Sequence, residues 1–245
     1  MSLLEKLITS ANNQLIKDCA KLKQKKFRNL NNQYLVEGHH LVNEALMAGV
    51  LNTVFFTEEL NFEFENSYLV TDDVMRKLSS VEAPQGILGV CNKVQNQRIS
   101  DRVLLLDNLQ DPGNIGTLIR SCAAFGFNTI IANNTVDFFN DKVIRSSQGA
   151  IFKIALFNAS VIDFVKENSD YHFIATDLKA KNDLSDFSID NEKVGLILGN
   201  EGQGISEDLL ELADAKVKIR MADMESLNVA VAGSIFMYQL TVGRK

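Results

Sequence analysis

The chain has 245 residues, 46% hydrophobic and 23% charged, with a net charge of −6. These are ordinary proportions for a globular protein, and the length allows two domains or one large one with a substantial core. Net acidity argues against indiscriminate polyanion binding, no apolar run approaches the roughly 20 residues of a membrane helix, and the first residues lack a secretory pattern, so a cytoplasmic location is the default expectation.

From the start of the chain, residues 11–26 read as one helix, with Leu15, Ile16, Cys19, Ala20 and Leu22 on its apolar side. Around it Lys17, Lys21, Lys23, Lys25, Lys26 and Arg28 face a single acid, Asp18. Such a basic cluster suits nucleic-acid phosphates, and equally suits a solvated helix face. A short strand over 34–36 leads into Glu37-Gly38-His39-His40 and a helix over 41–48 that Gly49 closes. Residues 53–57, 67–70 and 86–91 are strand-like, and 72–78 are helical. The first ninety residues therefore alternate α and β and form a small domain, and the polar stretch 92–98 is a linker. His39 and His40 are expected as a turn pair, because no cysteine or second carboxylate pattern accompanies them. Cys19, Cys91 and Cys122 are too few and too scattered for a disulfide framework or a zinc site, and no metal is expected.

The second half begins with an apolar strand over 102–107, then the loop 108–116, a helix over 117–125 and a strand over 128–132. Residues 141–147 read as helical, 152–157 as a strand, 161–167 as a helix and 171–176 as a strand. The run Val194, Leu196, Ile197 and Leu198 marks a buried strand of a parallel sheet. It stops at Gly199-Asn200-Glu201-Gly202-Gln203-Gly204, after which Ser206 is placed to cap a helix over 207–212. A strand over 215–219, a loop over 220–226 and an apolar helix over 227–240 complete the chain. Repeated βα units predict a doubly wound, mainly parallel sheet, with ligand loops at the carboxyl ends of its strands.

The glycine-rich loop is not a phosphate loop of the common kinds. A Walker loop needs Lys after its last glycine, where Ile205 stands, and the dinucleotide fingerprint needs a different glycine order. Glu201 would repel a pyrophosphate, so a neutral or cationic ligand fits better. Three loops, 108–116, 199–204 and 221–228, carry amides and small residues beside apolar walls and are expected to share one small-molecule pocket. Arg120, just beyond the first of them, is suited to gripping a phosphate or to a structural ion pair.

Asn108…Asp111-Pro-Gly-Asn-Ile-Gly-Thr-Leu-Ile-Arg120, Leu198-Gly-Asn-Glu-Gly-Gln-Gly-Ile205 and Ile219-Arg-Met…Glu225-Ser-Leu-Asn-Val-Ala-Val-Ala232 together resemble the three signature motifs of the SpoU (TrmH) family. These are RNA 2′-O-ribose methyltransferases of the SPOUT superfamily. Tyr34-Leu-Val-Glu-Gly-His-His-Leu-Val42 resembles the family's small ribosomal-protein-like α/β substrate-binding domain. The resemblance implies an RNA substrate-binding domain over 1–95 and, over 98–245, a SPOUT methyltransferase domain with a trefoil knot. It implies a homodimer and S-adenosylmethionine as cofactor. It assigns cofactor contacts to Leu198, Gly199, Asn200, Glu201, Gly202, Ile219, Met221, Ser226 and Leu227, and catalysis to Asn114, Arg120, Glu201, Ser226 and Asn228. Lys17, Lys21, Lys23, Lys25, Lys26 and Arg28 become candidate RNA contacts. One departure stands out: the third motif usually reads Ile-Pro-Met, and here it is Ile219-Arg220-Met221.

The expected substrate is a ribose 2′-hydroxyl of ribosomal RNA, 23S in preference to transfer RNA. Arg120 is expected to clamp the adjoining phosphate and polarise the hydroxyl, since a guanidinium rarely deprotonates. Methylation of a base nitrogen by the same superfamily, and a non-catalytic RNA-binding protein that keeps the fold, remain open alternatives.

Overall fold

The computed structural model describes residues 6–58, 62–94 and 98–242. The chain opens with β1 (Leu7–Ile8), α1 (Gln14–Lys21), α2 (Lys25–Asn31), β2 (Gln33–Glu37), α3 (His39–Met47), β3 (Leu51–Phe56), β4 (Ser67–Val70), α4 (Asp72–Leu78) and β5 (Ile87–Asn92). It continues with β6 (Arg102–Asp107), α5 (Pro112–Phe125), β7 (Thr129–Asn133), α6 (Asp141–Ser147), β8 (Ala155–Asn158), α7 (Val161–Glu167) and β9 (His172–Thr176). It closes with β10 (Asn182–Asp183), β11 (Val194–Leu198), α8 (Glu207–Leu212), β12 (Ala215–Lys218) and α9 (Val229–Val242). Contacts divide it into two units, Met1–Asn96 with Phe139–Phe152, and Gln97–Phe138 with Lys153–Lys245. The excursion of α6 into the first unit, where it packs on β2, is something a reading along the chain does not anticipate. Of the proposed linker 92–98, residues 95–97 lie outside the described residues.

The first unit is a mixed five-stranded sheet in the order β1-β4-β3-β5-β2. Its strands alternate: Leu88 and Val90 of β5 join Ile16, Cys19 and Leu22 with Val74, Met75 and Leu78 in the core under α1 and α4. Gly89 between them looks the other way, toward Val36 of β2 and Val42 of α3. Helices thus cover both faces.

The expected single helix over 11–26 is two helices. α1 ends at Lys21, Gln24 is extended (φ −99°, ψ 133°), and α2 starts at Lys25. The last carbonyls of a helix lack intrahelical donors. Arg28 supplies them here: its Nη1 donates to Leu22 O at 3.0 Å and to Lys23 O at 2.7 Å, and the residue is only 5% exposed. Lys23 in turn donates from Nζ to Lys77 O and Ser79 O at the end of α4, at 2.8 and 2.5 Å. Two members of the basic cluster therefore close helix ends: Arg28 is buried in doing so and is not placed to meet RNA, whereas Lys23 remains an exposed residue. Lys21 bonds Asp18 at 2.7 Å, while Lys17, Lys25 and Lys26 are exposed. His39 and His40 are exposed on the first turn of α3, the latter 3.2 Å from the Gln148 carbonyl.

The second unit is a seven-stranded sheet, β10-β12-β9-β11-β6-β7-β8, in which every pairing is parallel. Its strands are buried on both sides, which explains their continuous apolar runs. Val103, Leu105 and Ile197 face the core under α7 and α8, with Phe164, Phe173 and Leu209. Leu198 pairs in register with Leu106 and faces α9, where its side chain reaches Gly233. That glycine also meets Leu118, so α5 and α9 approach closely because no Cβ intervenes. Val103 to Leu106 are all fully buried, each contributing roughly 1.5–3 kcal/mol. No described helix is long and apolar enough to cross a membrane.

Candidate active site

A parallel sheet places all its carboxyl ends along one edge, and ligands bind there where the strand order reverses. Here the chain runs outward from β6 through β7 to β8 on one side, while β11, β9, β12 and β10 lie on the other. A cavity of about 440 Å³ opens beyond the ends of β9, β11 and β12, within the usual range for a small-molecule site. Leu198, Ile219, Leu227, Val229 and Phe236 form its apolar walls. Asp177, Lys179, Glu201, Glu207 and Lys218 bring charges of both signs to its lining.

The glycine loop is folded back on itself. Asn200 and Gly204 exchange backbone hydrogen bonds of 3.0 and 2.8 Å, and Gly204 takes a φ of +74°. A Cβ on Gly199 would lie 2.2–2.3 Å from the backbone of Gly204 and Ile205, so no other residue fits without unfolding the turn. Asn200 holds the inside: its Oδ1 accepts from Gly202 N and Gln203 N, and its Nδ2 donates to Asn108 O at 3.0 Å. Buried Asp107, at the end of β6, accepts from Ser206 N at 3.0 Å. Ser206 stands at the start of α8 as expected, but its own side chain makes no cap bond.

A second set of bonds joins all three motif segments. Asn228 Oδ1 accepts from Ala230 N and Val231 N, satisfying free amides at the start of α9. That fixes the amide, so Nδ2 donates to Asn114 Oδ1 at 2.9 Å. Asn114 Nδ2 must then donate, and it meets Glu201 Oε1 at 2.8 Å. Asn114 is itself fixed in the first turn of α5, where Asp111 Oδ1 accepts from its backbone N at 2.7 Å. Each amide has one permitted orientation, and the polarity runs from helix amides to a carboxylate.

All nine residues expected to contact a cofactor line this one cavity. Of the five given catalytic roles, Glu201 and Ser226 line it, and Asn114 and Asn228 reach Glu201 through the chain of amides. Arg120 does neither. It is exposed on α5 and its side chain has no hydrogen bond or ion pair among the described residues. It lies six positions beyond Asn114, which in a helix places the two about 120° apart around the axis. The first loop also differs from expectation. α5 begins at Pro112, five residues before the predicted start, and the loop braces the glycine turn through Asn108 and Asp107 without lining the cavity. The wall that takes its place, Thr176 to Lys179 after β9, escaped the sequence reading. Its signal was present in the polar end of an apolar strand, but only the sheet order makes β9 the neighbour of β11.

At the remaining edge of the site, Arg220 Nη2 lies 2.5 Å from Asp183 Oδ2 and 3.9 Å from Asp186 Oδ2. Asp183 raises the guanidinium further above its ordinary range, chiefly through that hydrogen bond. Cys122, fully buried, is pushed up by desolvation and lies against Met237 of α9. Among the described residues, no three His, Cys, Asp or Glu side chains are grouped to hold a metal ion.

Comparison with known proteins gives a consistent picture. The profile of the SpoU rRNA Methylase family matches residues 101–238, and that of the MRM3-like substrate binding domain matches residues 13–89. The chain is 36% identical to the 23S rRNA (guanosine(2553)-2'-O)-methyltransferase RlmP of Bacillus subtilis, across 96% of this chain and 99% of that one. Its fold is similar to that of an AdoMet-bound rRNA methyltransferase from Sinorhizobium meliloti, with a TM-score of 0.84, 27% identity and 98% coverage of both chains. The SpoU methyltransferase AviRb from Streptomyces viridochromogenes, solved with AdoMet, gives a TM-score of 0.84 at 26% identity, over 95% of this chain and 98% of that one.

Proposed function

Because the chain belongs to the SpoU rRNA Methylase family, we propose that it is an S-adenosylmethionine-dependent methyltransferase acting on a ribose 2′-hydroxyl of ribosomal RNA, 23S in preference to transfer RNA. The observation that carries this reading is the cavity itself, whose rim joins the three motif segments through Asn228, Asn114 and Glu201. The residues present fit the donor. Its volume suits the site, the apolar walls suit its adenine, and the glycine turn offers backbone groups with no cation to oppose a sulfonium.

When bound, S-adenosylmethionine supplies an activated methyl carbon on a positively charged sulfur. The protein's share is to position donor and acceptor in line, as suits a displacement with little covalent work for side chains. Gly199, Asn200 and Gly202 present the turn backbone to the donor, with Leu198, Ile219, Met221 and Leu227 around it and Ser226 at the edge. Glu201 is held as a hydrogen-bond acceptor by Asn114, with its second oxygen left for the donor or the ribose. As the oxygen–methyl bond forms, the methyl–sulfur bond breaks and the proton of the 2′-hydroxyl passes to solvent water. Arg120 clamps the neighbouring phosphate and polarises that hydroxyl, because a guanidinium is a poor base.

Arg120 does not line the cavity of its own chain, and that favours a homodimer in which it serves the site of a second copy. An exposed apolar face supports the same assembly: Val231, Ile235, Tyr238 and Val242, at helical spacing on α9, are 39–59% exposed. The knot is supported by the packing of α9 back against α5 and β11 after the chain has formed β12 at the far side of the sheet. The first unit binds the RNA substrate, with Lys17, Lys21, Lys25 and Lys26 as phosphate contacts, and the enzyme works in the cytoplasm.

Titration calorimetry with S-adenosylmethionine and mapping of 23S RNA from a deletion strain test the proposal. The expected results are donor binding to the wild-type protein and loss of one alkali-resistant position in the RNA. Loss of a base methyl with unchanged alkali resistance would transfer the assignment to a base nitrogen. Absence of donor binding would leave a non-catalytic RNA-binding protein.

A further inference from the structure

Ile219 and Met221 both line the cavity, and Arg220 between them does not. Its guanidinium turns to β10, onto Asp183 at 2.5 Å. The two partners are in unequal surroundings. The Arg220 side chain is 71% exposed, whereas that of Asp183 is 13% exposed, and its Oδ1 is buried with no hydrogen-bond partner. A carboxylate drawn this far from water leans on its one close cation, and losing that cation leaves an unpaired charge. Asp183 is itself well placed to serve as an anchor. It pairs in register with Lys218 of β12 and opens the tight turn Leu184–Asp186. The segment that leaves β12 is therefore stitched to the neighbouring strand one residue before Met221 enters the cavity wall.

We propose that Arg220 and Asp183 form an ionic tether that positions Ile219 and Met221 against the donor, setting donor affinity without taking part in methyl transfer. This rests on the cofactor reading given above. A proline at this point would stiffen the turn through its ring. Charge does so here, with a consequence proline lacks: a half-exposed ion pair weakens as salt rises.

The test is a double-variant cycle with Arg220→Gln, Asp183→Asn and the pair combined, with S-adenosylmethionine as the calorimetric probe. Each single variant should weaken Kd about three- to tenfold, with the combined variant no weaker than the worse single one. KM for the donor should rise with kcat unchanged, and the wild-type Kd should weaken with salt more steeply than that of any variant. Hydrogen exchange in the donor-free protein gives an independent reading: amides of 219–221 should exchange faster in both single variants. Unchanged Kd in Arg220→Gln, or loss of affinity in Arg220→Gln with none in Asp183→Asn, would overturn the tether. If wild-type protein binds no donor, the cofactor reading fails, and exchange at 219–221 still decides whether the tether exists. Unchanged exchange there would sink it too.

Discussion

In the first unit the conspicuous cations Lys23 and Arg28 bend inward and satisfy carbonyls at the ends of α4 and α1. In the second, the modest amides Asn114 and Asn228 and the carboxylate of Glu201 meet across gaps of 87 and 114 residues. The contrast teaches that a charge cluster in sequence is a poor guide to a site, because nearby backbone competes for its donors. Short polar residues at the ends of buried parallel strands are a better guide, because the sheet delivers all of those ends to one edge.

The contrast is broken most severely by Gly199→Ala. Its methyl would collide with the backbone of Gly204 and Ile205, so donor binding should vanish and stability should fall by about 3 kcal/mol, read by calorimetry and thermal unfolding. Asn228→Asp sharpens it next. The new carboxylate still caps α9 but donates nothing, so the Asn114 amide loses its fixed orientation toward Glu201. We expect kcat/KM to fall on the order of tenfold or more with the fold intact, and wild-type kcat/KM would refute the amide chain. Arg28→Ala should lower urea stability by about 2 kcal/mol, because the buried carbonyl of Leu22 and the half-buried carbonyl of Lys23 lose their Arg28 donor, rather than act on RNA binding alone. Lys25→Ala and Lys26→Ala should do the reverse. Stability stays level while RNA affinity drops uniformly across sequences and the salt slope shrinks by about 1 for each, as a filter-binding series in salt would show.

Much of the second unit was legible from residues alone. Val194–Leu198, Val161–Glu167 and Glu207–Leu212 fall where their apolar patterns put them, because strands buried on both faces and short capped helices advertise themselves locally. The start of α5 was also written in the chain, in Asp111 followed by Pro112, a cap and first-turn pair that the spacing argument passed over. The break between α1 and α2 was not, since periodicity continues through Leu22 and only the inserted Arg28 guanidinium explains the turn. Nor could local pattern show that residues 139–152 pack with the first unit, or that Thr176 to Lys179 close the cavity. Both depend on which strands become neighbours.

The amide chain at the rim hangs from the first backbone amides of α9, and α9 is the last described helix. During synthesis everything up to β12 can emerge and collapse while Asn114 still lacks Asn228, the partner that fixes its amide toward Glu201. The ability to methylate would then arrive abruptly, as the segment that forms α9 leaves the ribosome. A half-made copy would be chemically silent toward the very class of RNA that is building it.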